Sequence, residues 1–398
     1  MMNRRHLLKA ALAGAGTLGA PGIFSRVAQA AAVSDDDRIL VIFELSGGND
    51  GLNTVVPYAD DTYYRLRPTI GIRPAKLRKI DDRYGFNPGL GGMERLYKDG
   101  KLAIVHGCGY ANPSFSHFTS MAYLHTAAPN SGDDYGWVGR LADNLQPAPK
   151  PNYLMNIDVA QSLAVKSRLH LPVVFDDPER FLRNGFLQTR PVLDEVSPTP
   201  PGNASLAFLN QVANSAREAS GLVREAAAKY KTPVDYGINS SGLPKVAACI
   251  AAGLPTRLYY VAYRNNAFDT HVQQADLHQR LLTYVSDSIL GFTRDMERLG
   301  MADRVTMLAF SEFGRRVPEN TSLGTDHGTA NVMFFAGKTV QGGHYGTPSS
   351  LTALDAGDNL VYTTDFRRVY ATAIEGWLRS GTADTVLKGR FDPFPVYA

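Results

Sequence analysis

Four short polar clusters in this chain combine residue types that do ester or metal chemistry. The first, Ser46-Gly47-Gly48-Asn49-Asp50-Gly51, sets a hard carboxylate oxygen on Asp50 among glycines that let backbone approach a ligand. Asn-Asp-Gly is equally an ordinary turn sequence. The second starts at His106-Gly107-Cys108-Gly109 and continues into Asn112-Pro113-Ser114-Phe115-Ser116-His117-Phe118, with hydroxyls beside an imidazole in a loop expected to enter a helix. Ser114 or Ser116 there is either a helix cap or a nucleophile activated by a metal or base, next to a helix N-terminus that stabilises an anion.

The third cluster, Phe268-Asp269-Thr270-His271, places a carboxylate and an imidazole at i and i+2, on one side of an extended loop. Such a pair serves as a mixed ligand set for zinc and related ions, or as a plain surface pair. The fourth is Ser311-Glu312-Phe313-Gly314-Arg315-Arg316, followed by Asp326-His327-Gly328-Thr329. Glu312, Asp326 and His327 are candidate metal ligands, and Arg315 offers a fork for an oxyanion; the alternative for Arg315 and Arg316 is solvated charge.

The clusters follow apolar runs, and those runs predict the elements that position them. Strand-like segments fall at Ile39–Leu45, Leu102–His106, Leu171–Phe175, Leu258–Tyr263, Val305–Phe310 and Val332–Ala336. Most are continuously apolar, as in a sheet buried on both faces. Helical patterns at Gly92–Tyr97, Ala204–Tyr230, Lys245–Ala252, Ala275–Leu299 and Phe366–Ser380 lie between them. The expected fold is a three-layer α/β/α sandwich on a mainly parallel sheet, with ligands at the carboxyl ends of the strands. Residues 148–255, with the turn-rich Ser197-Pro198-Thr199-Pro200-Pro201-Gly202, read as a helical insertion or cap.

With these motifs, and with Gly136-Trp137-Val138-Gly139-Arg140 and Gly324-Thr325-Asp326-His327-Gly328, the chain resembles the domain-of-unknown-function 1501 family of twin-arginine-exported bacterial proteins. That family is placed in the alkaline phosphatase and sulfatase superfamily. The resemblance implies a sheet edge carrying one or two divalent ions, zinc, manganese or calcium. It also implies Asp50, Asp269, His271, Glu312 and His327 as ligands and Ser116 as a nucleophile. Two departures stand out. Superfamily hydrolases usually show Asp-His-Gly where this chain has Glu312-Phe313-Gly314, so one imidazole is missing there. The usual aspartate at the end of the first strand is displaced, with Glu44 inside the run and Asp50 beyond it. The implied activity is an exported metal-dependent hydrolase of phosphate or sulfate esters. The competing reading is a non-catalytic protein that binds an anionic glycan or envelope polymer in the same crevice.

The first thirty residues read as a twin-arginine signal peptide. Arg4-Arg5-His6-Leu7-Leu8-Lys9 precedes a weakly apolar run to Phe24 that glycines interrupt, and Ala28-Gln29-Ala30 offers a cleavage site. The translocation machinery of that route is therefore an expected partner, and the expected destination is the periplasm or the exterior. The remainder, residues 31–398, is expected to be one alkaline phosphatase-like domain without stable membrane insertion. Cleavage would remove four of the 41 basic residues, leaving 37 against 38 acidic ones and moving the net charge from +3 to −1. A near-neutral chain has no electrostatic footprint for nucleic acid. Cys108 and Cys249 are too few for a disulfide framework and read as buried thiols, with pairing the alternative. Replacing Arg4 and Arg5 by Lys is expected to hold the precursor in the cytoplasm. Cell fractionation that found the double variant exported at wild-type levels would refute the twin-arginine assignment.

Overall fold

A computed structural model describes residues 37–178, 219–263 and 265–397. Residues 1–30, expected to be a signal peptide, and the Ser197–Gly202 stretch lie outside the described residues. The strands, in chain order, are β1 (Ile39–Leu45), β2 (Val55–Val56), β3 (Arg78–Lys79), β4 (Gly85–Phe86), β5 (Leu102–Gly109) and β6 (Leu154–Ile157). They continue with β7 (Val173–Phe175), β8 (Leu258–Tyr263), β9 (Val305–Phe310), β10 (Asn331–Ala336), β11 (Gly343–Tyr345) and β12 (Thr364–Asp365).

The main sheet has nine strands, ordered β11-β5-β10-β9-β1-β8-β6-β7 with β12 also paired to β5. β1 is central and runs parallel to both β8 and β9, with Leu40 opposite Leu258 and Ile39 opposite Val305. The continuous apolar sequence of β1 has a direct cause. Ile39, Val41, Phe43 and Leu45 enter one core, while Leu40 and Ile42 enter the core on the opposite face. A strand covered on both sides has no polar face to show.

Helices supply the two outer layers. Gly91–Lys98, Leu243–Ala251 and the 25-residue Gln274–Arg298 pack their apolar sides, including Met93, Val246 and Val285, into the first core. Trp137–Leu145, Phe366–Ala371 and Ala383–Leu387 pack into the second, where Trp137 stacks on Tyr370 at 4.3 Å. This is the three-layer α/β/α sandwich with a mostly parallel sheet. A small antiparallel sheet of β2, β4 and β3 sits beside it.

Two features depart from the sequence reading. β10 is antiparallel to both β5 and β9, so its amino end, not its carboxyl end, meets the crevice. The 148–255 stretch is not wholly an insertion: β6 and β7 extend the main sheet beyond β8, and Leu243–Ala251 belongs to a helical layer. Its helical pattern appears at 219–229, while 179–218 lie outside the described residues. Cys108 and Cys249 are buried free thiols in opposite cores, so the sheet separates them; burial raises both, Cys249 to about 12. No helix among the described residues is long and apolar enough to cross a membrane. Phe43 is fully buried on the central strand, and Phe43→Ala is expected to lower the unfolding free energy by about 3–5 kcal/mol, read as a shifted urea midpoint.

Candidate metal centre

Three loops leave the adjacent carboxyl ends of β1, β8 and β9, and the last of them runs on into β10. Arg315 ties them together from a position that is 1% exposed. Its Nε donates to Gly48 O at 2.7 Å, Nη1 to Thr325 O at 2.9 Å, and Nη2 to Gly47 O, to Phe268 O at 3.1 Å and to Asp269 Oδ1 at 2.7 Å. Every nitrogen of the guanidinium is thus engaged with the protein. The expected oxyanion fork is therefore not available, and Arg315 positions Asp269 instead. The neighbouring Arg316 keeps a buried Nε without a partner among the described residues.

The loops approach so closely that Gly47 has no room for a side chain. Its φ is +117°, and a Cβ there would come within 2.6 Å of Asp269 N. The backbone N–H of Gly47 instead donates to the Glu312 carboxylate, at 2.8 and 3.1 Å to its two oxygens.

His117, His271 and His327 each turn Nε2 toward Asp269. Asp269 Oδ1 lies 3.0 Å from His327 Nε2 and 3.0 Å from His271 Nε2, and Oδ2 lies 3.4 Å from His117 Nε2. The Nε2 atoms of His271 and His327 are 3.0 Å apart. The ligand atoms of His117, Asp269 and His327 all fall within 4.8 Å of one another.

The other ring nitrogens fix the tautomers. His117 Nδ1 is 2.8 Å from Glu312 Oε1, His327 Nδ1 is 2.7 Å from Phe115 O, and His271 Nδ1 is 3.2 Å from Asp326 Oδ1. Each of those oxygens accepts, so each Nδ1 carries the hydrogen and each neutral Nε2 presents a lone pair. Three lone pairs and a carboxylate facing one another repel unless a cation lies between them. The His117 Nε2 is buried and has no hydrogen-bond partner among the described residues. Ligand atoms bonded to zinc at about 2.0–2.1 Å are roughly 3.3 Å apart in a tetrahedron, which matches the observed 3.0–3.4 Å. The donor set therefore fits a divalent ion, and Glu312, Phe115 O and Asp326 serve as the outer oxygens that orient ligating imidazoles.

Charges in the site follow the same arrangement. Burial alone would raise the Asp269 carboxyl, but the hydrogen bond from Arg315 and the Arg315 charge hold it down at about 2. The hydrogen bond that His117 donates to Glu312 raises His117, whereas burial lowers His327. Asn320, which donates to Asp326 at 3.1 Å, holds that carboxyl down.

The structure therefore brings Asp269, His271 and His327 together and sets Glu312 and Asp326 one shell outside, as orienting groups where ligands were expected. Asp50 is elsewhere. Its fully buried carboxylate caps the helix Gly51–Thr54 and pairs with Arg67 Nη1 at 2.6 Å, a structural ion pair and not a ligand. Burial would raise Asp50, and the charges of Arg67 and His278 together with hydrogen bonds from Arg67 and Gln274 hold it below the ordinary carboxylate range. Ser116 is the N-cap of His117–Thr126; its side chain makes no cap bond and it is exposed beside the cluster. Ser114 Oγ accepts from Ser116 N at 3.2 Å.

The sequence reading does not place His117 among the candidate ligands, although it lies in the Ser116-His117-Phe118 motif. Its signal was the imidazole absent at Phe313. The Phe313 ring packs 4.9 Å from the His117 ring and 4.7 Å from that of His327, so the segment after β5 supplies the imidazole that the loop after β9 lacks.

The family model described as "Protein of unknown function (DUF1501)" matches residues 36–373. No curated protein sequence matches the chain. Among solved structures it is similar to a protein in the alkaline phosphatase superfamily from Vibrio parahaemolyticus, with 8% identity, 77% of this chain covered and a TM-score of 0.35. The chain spans 62% of that protein's length. It is also similar to a sulfatase from Pseudoalteromonas sp., at 11% identity over 90% of this chain and 70% of that one, TM-score 0.39. A phosphonate monoester hydrolase from Silicibacter pomeroyi matches at 10% identity over 86% and 73%, TM-score 0.34. Overlaps of this size carry no argument about the reaction.

Asp50→Ala separates a structural role from a ligand role. It leaves the Arg67 charge buried and unpaired and is expected to lower stability by about 3–5 kcal/mol. The metal content of the remaining folded protein should equal that of the wild type, as measured by elemental analysis.

Proposed function

Because the chain belongs to the DUF1501 family, whose description names no activity, we propose from the site itself that it is an exported, metal-dependent hydrolase of phosphate or sulfate esters. The observation that carries this reading is the convergence of three imidazole Nε2 lone pairs on the ionised Asp269, with each Nδ1 tied to an oxygen. His117, Asp269 and His327 would hold the ion, with His271 at the more exposed edge. Bound there, a divalent ion supplies Lewis acidity toward an anionic ester.

The chain's own groups do the rest. Arg315 keeps Asp269 ionised and aimed, and Glu312 keeps the His117 proton on Nδ1. The ten-residue helix His117–Thr126 begins at the site, and its first N–H groups favour an anionic oxygen. Ser116, exposed and free of a capping bond, is the candidate nucleophile at that helix start. The second reading, binding of an anionic glycan without turnover, draws its support from the full engagement of Arg315, which leaves no guanidinium fork for the transition state.

Natively exported protein is expected to carry about one divalent ion per chain. His117→Ala and His327→Ala should each lower that content and abolish turnover of aryl phosphates or sulfates. Ser116→Ala should keep the ion and lose most hydrolysis, by at least about a hundredfold. Folded, metal-replete wild type inactive on every monoester, diester and sulfate would favour the binding reading. Full activity in Ser116→Ala would remove that serine from the mechanism.

A further inference from the structure

Three exposed apolar side chains belong to the segments that carry the ligand imidazoles. Phe118 is 91% exposed, Val272 60% and Phe115 42%. Phe118 follows His117 in the first turn of the helix His117–Thr126, Val272 follows His271, and the carbonyl of Phe115 accepts from His327 Nδ1 at 2.7 Å. The imidazoles lie against one another, with the ring centroids of His117 and His271 4.5 and 4.7 Å from that of His327. The three apolar residues are therefore gathered around one centre.

A single exposed apolar residue is ordinary on a protein surface, but a group of them around one site marks a place where something apolar docks. Phe118 shows this most clearly. At 91% exposure its ring fills no part of either core, so the gain from burying a phenyl ring is left unused by the fold. Ser116 stands between Phe115 and Phe118 in the chain, so an ester at its hydroxyl has a phenylalanine on either side along the backbone.

Charge narrows the class of group that this rim can take. Residues 110–139, 265–279 and 317–337, which contain all three apolar residues and the ligands, hold no Lys or Arg. Arg315 is committed to the loops it joins, and the Arg316 charge acts on the carboxylates of Asp326 and Asp355. The Asp326 side chain is 47% exposed beside His271. A polyanionic chain would thus meet no second cation in these segments and one exposed carboxylate, whereas an apolar group would meet Phe115, Phe118 and Val272. Resting on the ester-hydrolase reading above, we propose that the substrate is an ester whose alcohol portion is uncharged and apolar, an alkyl chain or an aryl ring, and that Phe115, Phe118 and Val272 select it.

Titration calorimetry on the zinc-loaded full chain tests this with inorganic phosphate, butylphosphonate, octylphosphonate and the phosphonate analogue of glucose 6-phosphate, none of which has an ester bond to cleave. A fully buried methylene tightens binding by about fourfold, so partial cover of four more of them should make octylphosphonate bind at least about tenfold more tightly than butylphosphonate. The sugar analogue should bind more weakly than octylphosphonate. Phe118→Ser should cut the gain from chain length to about threefold or less, leave the affinity for inorganic phosphate unchanged and melt as the wild type does, and Phe118→Leu should restore most of the gain. Equal affinities for the two alkyl chains, a sugar analogue that binds as tightly as octylphosphonate, a full gain retained when Phe118 and Val272 are both replaced by Ser, or no binding of any phosphonate would overturn the proposal. Because no turnover is read, the two claims fail separately. Protein that binds in the expected pattern yet hydrolyses no ester defeats the hydrolase reading, and ester turnover with affinities that ignore chain length defeats the apolar-substrate proposal.

Discussion

The guanidinium of Arg315 is the constraint on which the rest of the site depends. A buried, permanently charged group needs a partner for each donor, and here the partners come from three loops, one of them its own. Satisfying it fixes Gly47 and Gly48 after β1, Phe268 and Asp269 after β8, and Thr325 ahead of His327 in one geometry. The antiparallel bridge between Arg315 and His327 carries the same constraint to the last imidazole. The charge that holds these loops together also keeps Asp269 ionised.

From that frame the imidazoles acquire their direction. Each is held from behind through Nδ1, by a carboxylate or a backbone carbonyl, so each turns Nε2 inward. The arrangement is unstable by itself, because it gathers acceptors without donors. It becomes favourable with a cation, whose binding then adds to the stability of the fold. The Glu312 carboxylate shows the same division of labour. It is 2% exposed and occupied by Gly47 N and His117, and it acts on the centre through an imidazole.

Much of this was legible in the sequence, for identifiable reasons. β1, β8 and β9 were readable to the residue because strands covered on both faces must be apolar throughout. Asp269, His271 and His327 were readable because each follows or flanks a strand end within a short polar motif. Asp50 was misread because its motif looks the same whether the carboxylate meets a metal or Arg67, seventeen residues on, and nothing local predicts that ion pair. Arg315 was misread for a similar reason, since four of its partner atoms are backbone carbonyls, which every residue has. His117 was overlooked as a ligand because the missing imidazole was sought at Phe313, whereas a distant loop supplies it in space. Short strands such as β6 and β11, and the reversed direction of β10, depend on pairing partners far along the chain and leave no periodic trace.

The central claim is that His117, Asp269 and His327 form one metal centre. Anomalous diffraction at the absorption edge of the bound metal, on crystals of metal-replete protein, tests it most directly. The account predicts a single strong peak about 2.0–2.3 Å from His117 Nε2, His327 Nε2 and an Asp269 oxygen. Ordered imidazoles with no peak between them, or a metal bound instead through Asp50 or Glu312, would contradict it.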